Sequence, residues 1–185
     1  TETNWLPLSW NAPATDESNW PRLVQLAFLQ VSEYGAERCR KSFLIKPSGF
    51  EIPAAATRVH GITTQTALEQ GVELQTALNE FSQAISESTL LIAHNMRFDE
   101  NVVASEFHRT QTKNKLHSIK KLCTMTETTG YCQIKNGRSF KWPSLVELHK
   151  KLFGKGFDGE HDALQDVLAC TKCFFELKTR GVIEE

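Results

Sequence analysis

No stretch of this sequence approaches the roughly 18 uninterrupted apolar residues that a bilayer-spanning helix needs, so no membrane partner is expected. Thr1 to Trp10 holds no basic segment followed by an apolar run, so it does not read as a secretory signal. Cysteine is sparse: Cys39, Cys123, Cys132, Cys170 and Cys173 make an odd, scattered set of five. That argues against a disulfide framework and for a reducing, cytoplasmic setting. Cys170 and Cys173 form a CxxC pair, but with no second such pair nearby they read as small core residues rather than zinc ligands. Net charge is nearly absent, at −1.

What is present is ordinary globular material, 40% hydrophobic and 23% charged. A chain of 185 residues is enough for one domain with a real core. The small net charge hides an uneven distribution. Arg109 to Lys155 carries eleven Lys and Arg against Glu127 and Glu147, which is +9 locally and leaves −10 elsewhere. Such a segment can face phosphates, although any single lysine in it reads equally as a solvated surface.

Arg22 to Val31 is apolar on both alternating faces, as a strand covered on both sides would be, and Glu37 to Lys46 follows after Tyr34-Gly35, predicting a β-hairpin. Pro53 opens a short helix that His60-Gly61 ends. Leu74, Ala77, Leu78, Phe81 and Ile85 recur at helical spacing, ahead of a buried strand at Thr89 to Ala93. A helix over Phe98 to Phe107, a strand over Ile119 to Met125 and a polar, basic loop over Gln133 to Lys141 come next. Ser144 caps a helix through Leu152 with Gly154 after it, and Asp162 to Lys178 is the last helix. Asn4 to Asn19 reads as a long polar loop. The order implies a mixed α/β sheet with helices on its faces.

Two carboxylates stand where a purely structural helix would not place them. Asp99 shares a face with Val102, Val103 and Phe107, just after the buried strand and His94-Asn95. Asp166 lies among Ala163, Ala169, Cys170 and Cys173, well inside its helix. A carboxylate facing a core costs several kcal/mol unless a cation or donor meets it. A divalent metal would meet both. Capping remains open for Asp99, and a buried pair with Arg or Lys for Asp166; Asp162 is the better cap for the last helix. His161, five residues ahead of Asp166, suits a base for a metal-activated water. His108, His117 and His149 read as surface residues and His60 as a turn residue. Glu2, alone, says nothing.

Together these residues resemble the DEDDh 3′-to-5′ exonucleases, the DnaQ-like group that includes the polymerase III epsilon and RNase T types. Thr1-Glu2-Thr3 matches the tail of that family's first motif, Ala93-His94-Asn95-Met96-Arg97-Phe98-Asp99 its second, and His161-Asp162-Ala163-Leu164-Gln165-Asp166 its third. Ile52-Pro53 and Val59-His60-Gly61-Ile62-Thr63 look like its connecting segment. The family's first aspartate would directly precede Thr1 and its first strand would precede that, so further chain ahead of Thr1 is expected.

The resemblance implies a single exonuclease domain over 1–185 with an RNase-H-like fold, a mixed five-stranded sheet flanked by helices on both faces. It implies Glu2, Asp99 and Asp166 as ligands of two Mg²⁺ or Mn²⁺ ions, with His161 as general base. Thr3, through its backbone, Asn95 and Phe98 would contact the terminal nucleotide, although Phe98 reads equally as core. The expected substrate is the 3′ end of single-stranded DNA, and a DNA polymerase is a further partner. Three alternatives are an RNA-trimming exoribonuclease of the same fold, a catalytically dead nucleic-acid-binding module, and an unrelated α/β protein whose buried acids pair with basic residues.

Overall fold

The computed structural model describes residues 1–184. Its first ladder is antiparallel: β1 (Glu2–Thr3) pairs with β2 (Leu23–Val31), and β2 pairs with β3 (Glu37–Leu44). The turn between β2 and β3 is held by Ser32, whose N–H donates to the Ala36 carbonyl at 2.8 Å and whose Oγ accepts from Ala36 N–H at 3.1 Å. Gly35 supplies a φ of 84° there, which costs a residue without a Cβ nothing. Leu23, Val24, Leu26, Ala27 and Phe28 are all buried, the burial on both faces that the continuous apolar run predicts. β3 forms the outer edge of this ladder and carries Glu37, Arg38, Arg40 and Lys41, charges that discourage edge-to-edge pairing.

Two short helices follow, α1 (Ala54–His60), ended by Gly61 at φ 76°, and α2 (Thr64–Gln70). The second was not legible in the polar run Thr63 to Thr66, yet Thr63 Oγ1 accepts from Thr66 N–H and Ala67 is fully buried beside Val24 and Ile52. Next come α3 (Leu74–Ser86), β4 (Leu90–Ala93), α4 (Met96–Arg109) and β5 (Lys120–Cys123). β4 and β5 are parallel, from Leu90 opposite Lys120 to Ala93 opposite Cys123. The strand expected to run to Met125 stops at Cys123, because α5 (Thr124–Glu127) and α6 (Thr129–Cys132) begin at once. Where a loop was expected, β6 (Lys135–Asn136) and β7 (Ser139–Phe140) form a hairpin whose two turn residues are Gly137, at φ 61°, and Arg138; glycine at the first of the two is its turn signal. α7 (Leu145–Phe153) starts in a capping box of Ser144 and Glu147 and stops at Gly154. α8 (Ala163–Thr179) is capped by Asp162, as expected.

The mixed α/β fold read from the sequence is present, and among the described residues its strands are hydrogen-bonded as β1-β2-β3, β4-β5 and β6-β7. Leu26 and Phe28 meet Leu78, Phe81, Val102 and Phe107 of α3 and α4 in one core cluster. Gln25, on the opposite face, accepts Ala163 N–H of α8 at 3.0 Å, so helices flank β2 on both sides. A second cluster joins Leu148 and Leu152 of α7 to Cys173, Phe174 and Leu177 of α8, packed on Leu90, Ile92 and Leu122. Each such side chain contributes about 1.5–3 kcal/mol on burial. Cys170 and Cys173 are buried core residues, and burial pushes both thiols up to about 12.

Two further sequence expectations change. His149 is not a surface residue: it is 3% exposed, its Nδ1 lies 2.7 Å from the Lys155 carbonyl, and Phe153 and Phe157 cover its ring. Asp166 lies in the first turn of α8 rather than deep within it, one turn beyond its cap.

Candidate active site

The pairing of Glu2 with Gln25 and the hydrogen bond from Ala163 N–H to Gln25 Oε1 bring β1 and the start of α8 to the same place on β2. One ligand atom each from Glu2, His161 and Asp166 lies within 4.8 Å of the others. His161 sits at the exposed entrance to α8 with a φ of 69°, a left-handed conformation that costs a side-chain-bearing residue energy and recurs at functional sites. Asp162 spends its carboxylate on capping, accepting from Leu164 N–H at 2.8 Å, and Asp166, a turn later, is left pointing at the cluster.

The acids have few donors. Asp166 Oδ1 is buried without a hydrogen bond. Burial raises the Asp166 carboxyl, Thr1's amine and His161 pull it back, and Glu160 raises it further. Glu2 is pushed up to about 7, first by burial and then by Asp166, Asp99 and Asp162, against the opposing pull of the Thr1 amine. Neighbouring carboxylates in a poorly solvated site resist sharing charge. Two carboxylates and an imidazole at this spacing are oxygen and nitrogen donors of the kind a hard divalent cation takes.

Asp99 stands apart from the three. It lies in the first turn of α4 but does not cap it, and its Oδ1 accepts from Thr1 Oγ1 at 2.9 Å. Asn95 occupies the cap position at φ 76° with no side-chain bond to the helix. Phe98 is half-buried against the first core cluster, its ring 5.8 Å from Trp10. Thr3 is buried, its hydroxyl donates to the Trp5 carbonyl at 2.6 Å, and its backbone pairs with Leu23 of β2. Arg97 donates to the Trp10 carbonyl and to Asn11 Oδ1, tying the long Asn4 to Asn19 segment down beside α4.

Two histidines complete the surroundings. His94 Nε2 lies 2.9 Å from the Pro143 carbonyl, which only accepts, so Nε2 carries the proton and Nδ1 accepts from Thr124 Oγ1 at 2.9 Å. Burial lowers its pKa, consistent with a neutral ring. His60, read as a turn residue, does accept Ile62 N–H at Nδ1, 3.1 Å away. Its Nε2, however, is buried without a hydrogen bond, near the Thr3 backbone and His161. Burial lowers its pKa, against an opposing pull from the Thr3 backbone, and His161 lowers it further. Nothing in the spacing of His60-Gly61 signals that placement, because it depends on β1 folding against α1.

Comparison with known proteins gives three findings. The sequence model of the RNase T family, described as Exonuclease, matches residues 14–174, a span that contains Asp99, His161 and Asp166 but not Glu2 or Thr3. Over 65 residues the chain is 40% identical to a PolC-type DNA polymerase III of Mycoplasmopsis pulmonis, covering 35% of this chain and 4% of that one. Among solved structures it is similar to E. coli exonuclease I in complex with a dT13 oligonucleotide, at TM-score 0.75 and 21% identity over 97% of this chain and 40% of that one. The zinc-ion-bound form of the exonuclease I complex with single-stranded DNA matches at TM-score 0.71 and 21% identity, over 97% and 39%. At that identity the likeness establishes the fold, and the chain spans less than half the length of those structures.

Proposed function

The chain belongs to the RNase T exonuclease family, and from that premise we propose that it hydrolyses phosphodiester bonds from the 3′ end of single-stranded DNA. Glu2, Asp99 and Asp166 would hold two Mg²⁺ or Mn²⁺ ions and His161 would act as general base. The observation that carries the reading is the crowding of Glu2, His161 and Asp166 within 4.8 Å, with Asp166 Oδ1 buried and unpartnered. A cation there relieves both the repulsion and the unmet acceptor. Bound divalent ions supply positive charge to the phosphate oxygens and to the leaving 3′ oxygen.

The remaining work falls to the chain's own side chains. An unprotonated ring nitrogen of His161, at the solvent edge of the cluster, takes a proton from the attacking water. That oxygen bonds to phosphorus as the bond from phosphorus to the penultimate 3′ oxygen breaks, releasing a nucleoside 5′-monophosphate. A positioned base of this kind contributes about 10²- to 10⁴-fold in rate. The Thr3 backbone, Asn95 and Phe98 would orient the terminal nucleotide. DNA is the leading substrate because the structural relatives are described with DNA oligonucleotides, and the PolC-type relative makes a DNA polymerase the partner to look for.

The test is release of label from 3′-labelled and 5′-labelled single-stranded DNA and RNA with Mg²⁺, Mn²⁺ or EDTA, beside Asp166→Asn. Stepwise, metal-dependent loss from the 3′ end that the substitution abolishes supports the reading, and the faster polymer names the sugar. Release that survives EDTA or the substitution would sink it, as would no release by a folded, metal-supplied protein.

A further inference from the structure

We propose that the β6–β7 hairpin is a stacking platform for bases of the single strand upstream of the 3′ end, a role that rests on the nuclease reading and extends its substrate contact beyond the reacting nucleotide. Lys135 lies directly opposite Phe140 in the hairpin ladder, so the two share a face, and Trp142 stands two residues beyond Phe140, just past the end of β7. Phe140 is 46% and Trp142 62% exposed. Rings left in water contribute little to the fold. Between Gln133 and Trp142 there are three cations, Lys135, Arg138 and Lys141, and no acid. Lys141 is committed to Glu147 Oε1 at 2.7 Å; Lys135 and Arg138 have no ion pair among the described residues. Exposed rings beside uncommitted cations are what an unpaired polynucleotide needs, because every base has a face to stack and every linkage a charge to meet.

The platform is also tied to the site. Lys141 N–H donates to the Ile134 carbonyl at 2.9 Å, closing the base of the hairpin. The next residue after Trp142 is Pro143, whose carbonyl takes the His94 Nε2 proton at 2.9 Å, and His94 adjoins Asn95 at the entrance to α4. A strand whose terminal nucleotide lies by Asn95 therefore has the rings within reach along its upstream bases. The other exposed apolar stretch, Trp5 to Leu8, contains no Lys or Arg, which is why the hairpin and not that loop fits a polyanion.

The experiment measures anisotropy of a labelled single-stranded oligothymidylate in EDTA, its abasic counterpart, and metal-supplied turnover of a thymidine dinucleotide too short to reach the hairpin. Phe140→Ala with Trp142→Ala should weaken long-strand binding by on the order of tenfold per ring, leave abasic-strand binding and dinucleotide turnover unchanged, and be rescued by Phe140→Tyr with Trp142→Tyr. Lys135→Ala with Arg138→Ala should reduce the slope of log affinity against log salt by about 1.4 for two phosphate contacts. Equal binding of the long strand by wild type and ring variant overturns the proposal, as does an equal loss on the abasic strand or the dinucleotide. Dinucleotide turnover reports on the nuclease and ring-dependent binding on the hairpin, so a protein that turns over nothing yet binds through the rings loses the first reading and keeps the second.

Discussion

Glu106 on α4 and Asp166 on α8 are acids on helices that flank β2 from opposite sides, both turned inward, and the protein treats them in opposite ways. Glu106 is fully buried, but its Oε1 accepts from Arg22 Nε at 3.0 Å and from Leu23 N–H at 2.9 Å. Its Oε2 lies 3.3 Å from Arg109 Nη1, near enough for an ion pair though not aligned for a hydrogen bond. Asp166 Oδ1 has no such partner, and its neighbours within ligand distance are another acid and a histidine. A buried carboxylate with two arginines is a closed structural unit that ties β2 to α4. One facing another carboxylate is an open site, stabilised by something the chain does not supply. The same sequence clue, an acid on an apolar helix face, thus has two outcomes, and the presence of arginine tells them apart.

The largest effect that would break this contrast is on activity. Asp166→Asn should lower 3′-end release by at least about 10³-fold, as loss of an interdependent catalytic group does, while the metal-free protein melts no earlier than wild type. Melting at a clearly lower temperature would mean that Asp166 has a structural partner after all. Glu106→Ala should do the reverse. Removing one member of a buried pair costs about 3–5 kcal/mol, read from urea unfolding, because Arg22 and Arg109 would be left facing the cavity. Turnover per folded molecule should be unchanged.

Proton linkage gives a smaller, sign-specific test. Glu2 rises from 4.5 to about 7 in the folded state, so between those values the folded chain holds a proton that the unfolded chain has released. Stability of the metal-free protein should therefore fall as pH rises through that window, by at most about 3 kcal/mol. Protons and the metal compete for the same carboxylate, so Mg²⁺ should bind more weakly below pH about 7 and should reverse the fall above it. An arginine-paired acid would give the opposite slope, which is what makes the measurement diagnostic.

The sequence singles out candidate residues more readily than it draws this distinction. Local spacing was enough to single out Asp99, His161 and Asp166, to place β2 as a strand buried on both faces, and to cap α7 at Ser144 and α8 at Asp162. Glu106 was missed although it follows Val102 and Val103 at helical spacing, because its partner Arg22 is 84 residues away. His149 was misplaced because the Lys155 carbonyl and Phe157 that bury it come only after the chain turns at Gly154, and His60 is the turn residue expected, although the Thr3 backbone beside it comes from a distant part of the chain. Asp99 lies outside the group of Glu2, His161 and Asp166 within 4.8 Å, a matter of side-chain placement that periodicity does not encode. The β6–β7 hairpin was within reach, since glycine at the first position of a two-residue turn, Gly137-Arg138, is a hairpin signal, but the surrounding lysines and arginine made the segment read as loop.

The smallest effect sharpens the comparison most, because it asks how much of the closed unit one arginine supplies. Arg22 is half-exposed, and besides meeting Glu106 it lies over the Phe50 ring at 4.8 Å. Arg22→Gln keeps much of the stem and a donor but removes the charge. Glu106 would keep the Leu23 N–H and Arg109, so the loss should be about 1–2 kcal/mol, that of one charge-assisted hydrogen bond, and clearly less than for Glu106→Ala. If the two substitutions cost the same, Arg109 contributes nothing and Arg22 alone closes the unit. If Arg22→Gln costs nothing, Arg109 with the Leu23 amide is sufficient, and the lone cation needed to turn an open acid into a structural one is already present on α4 itself.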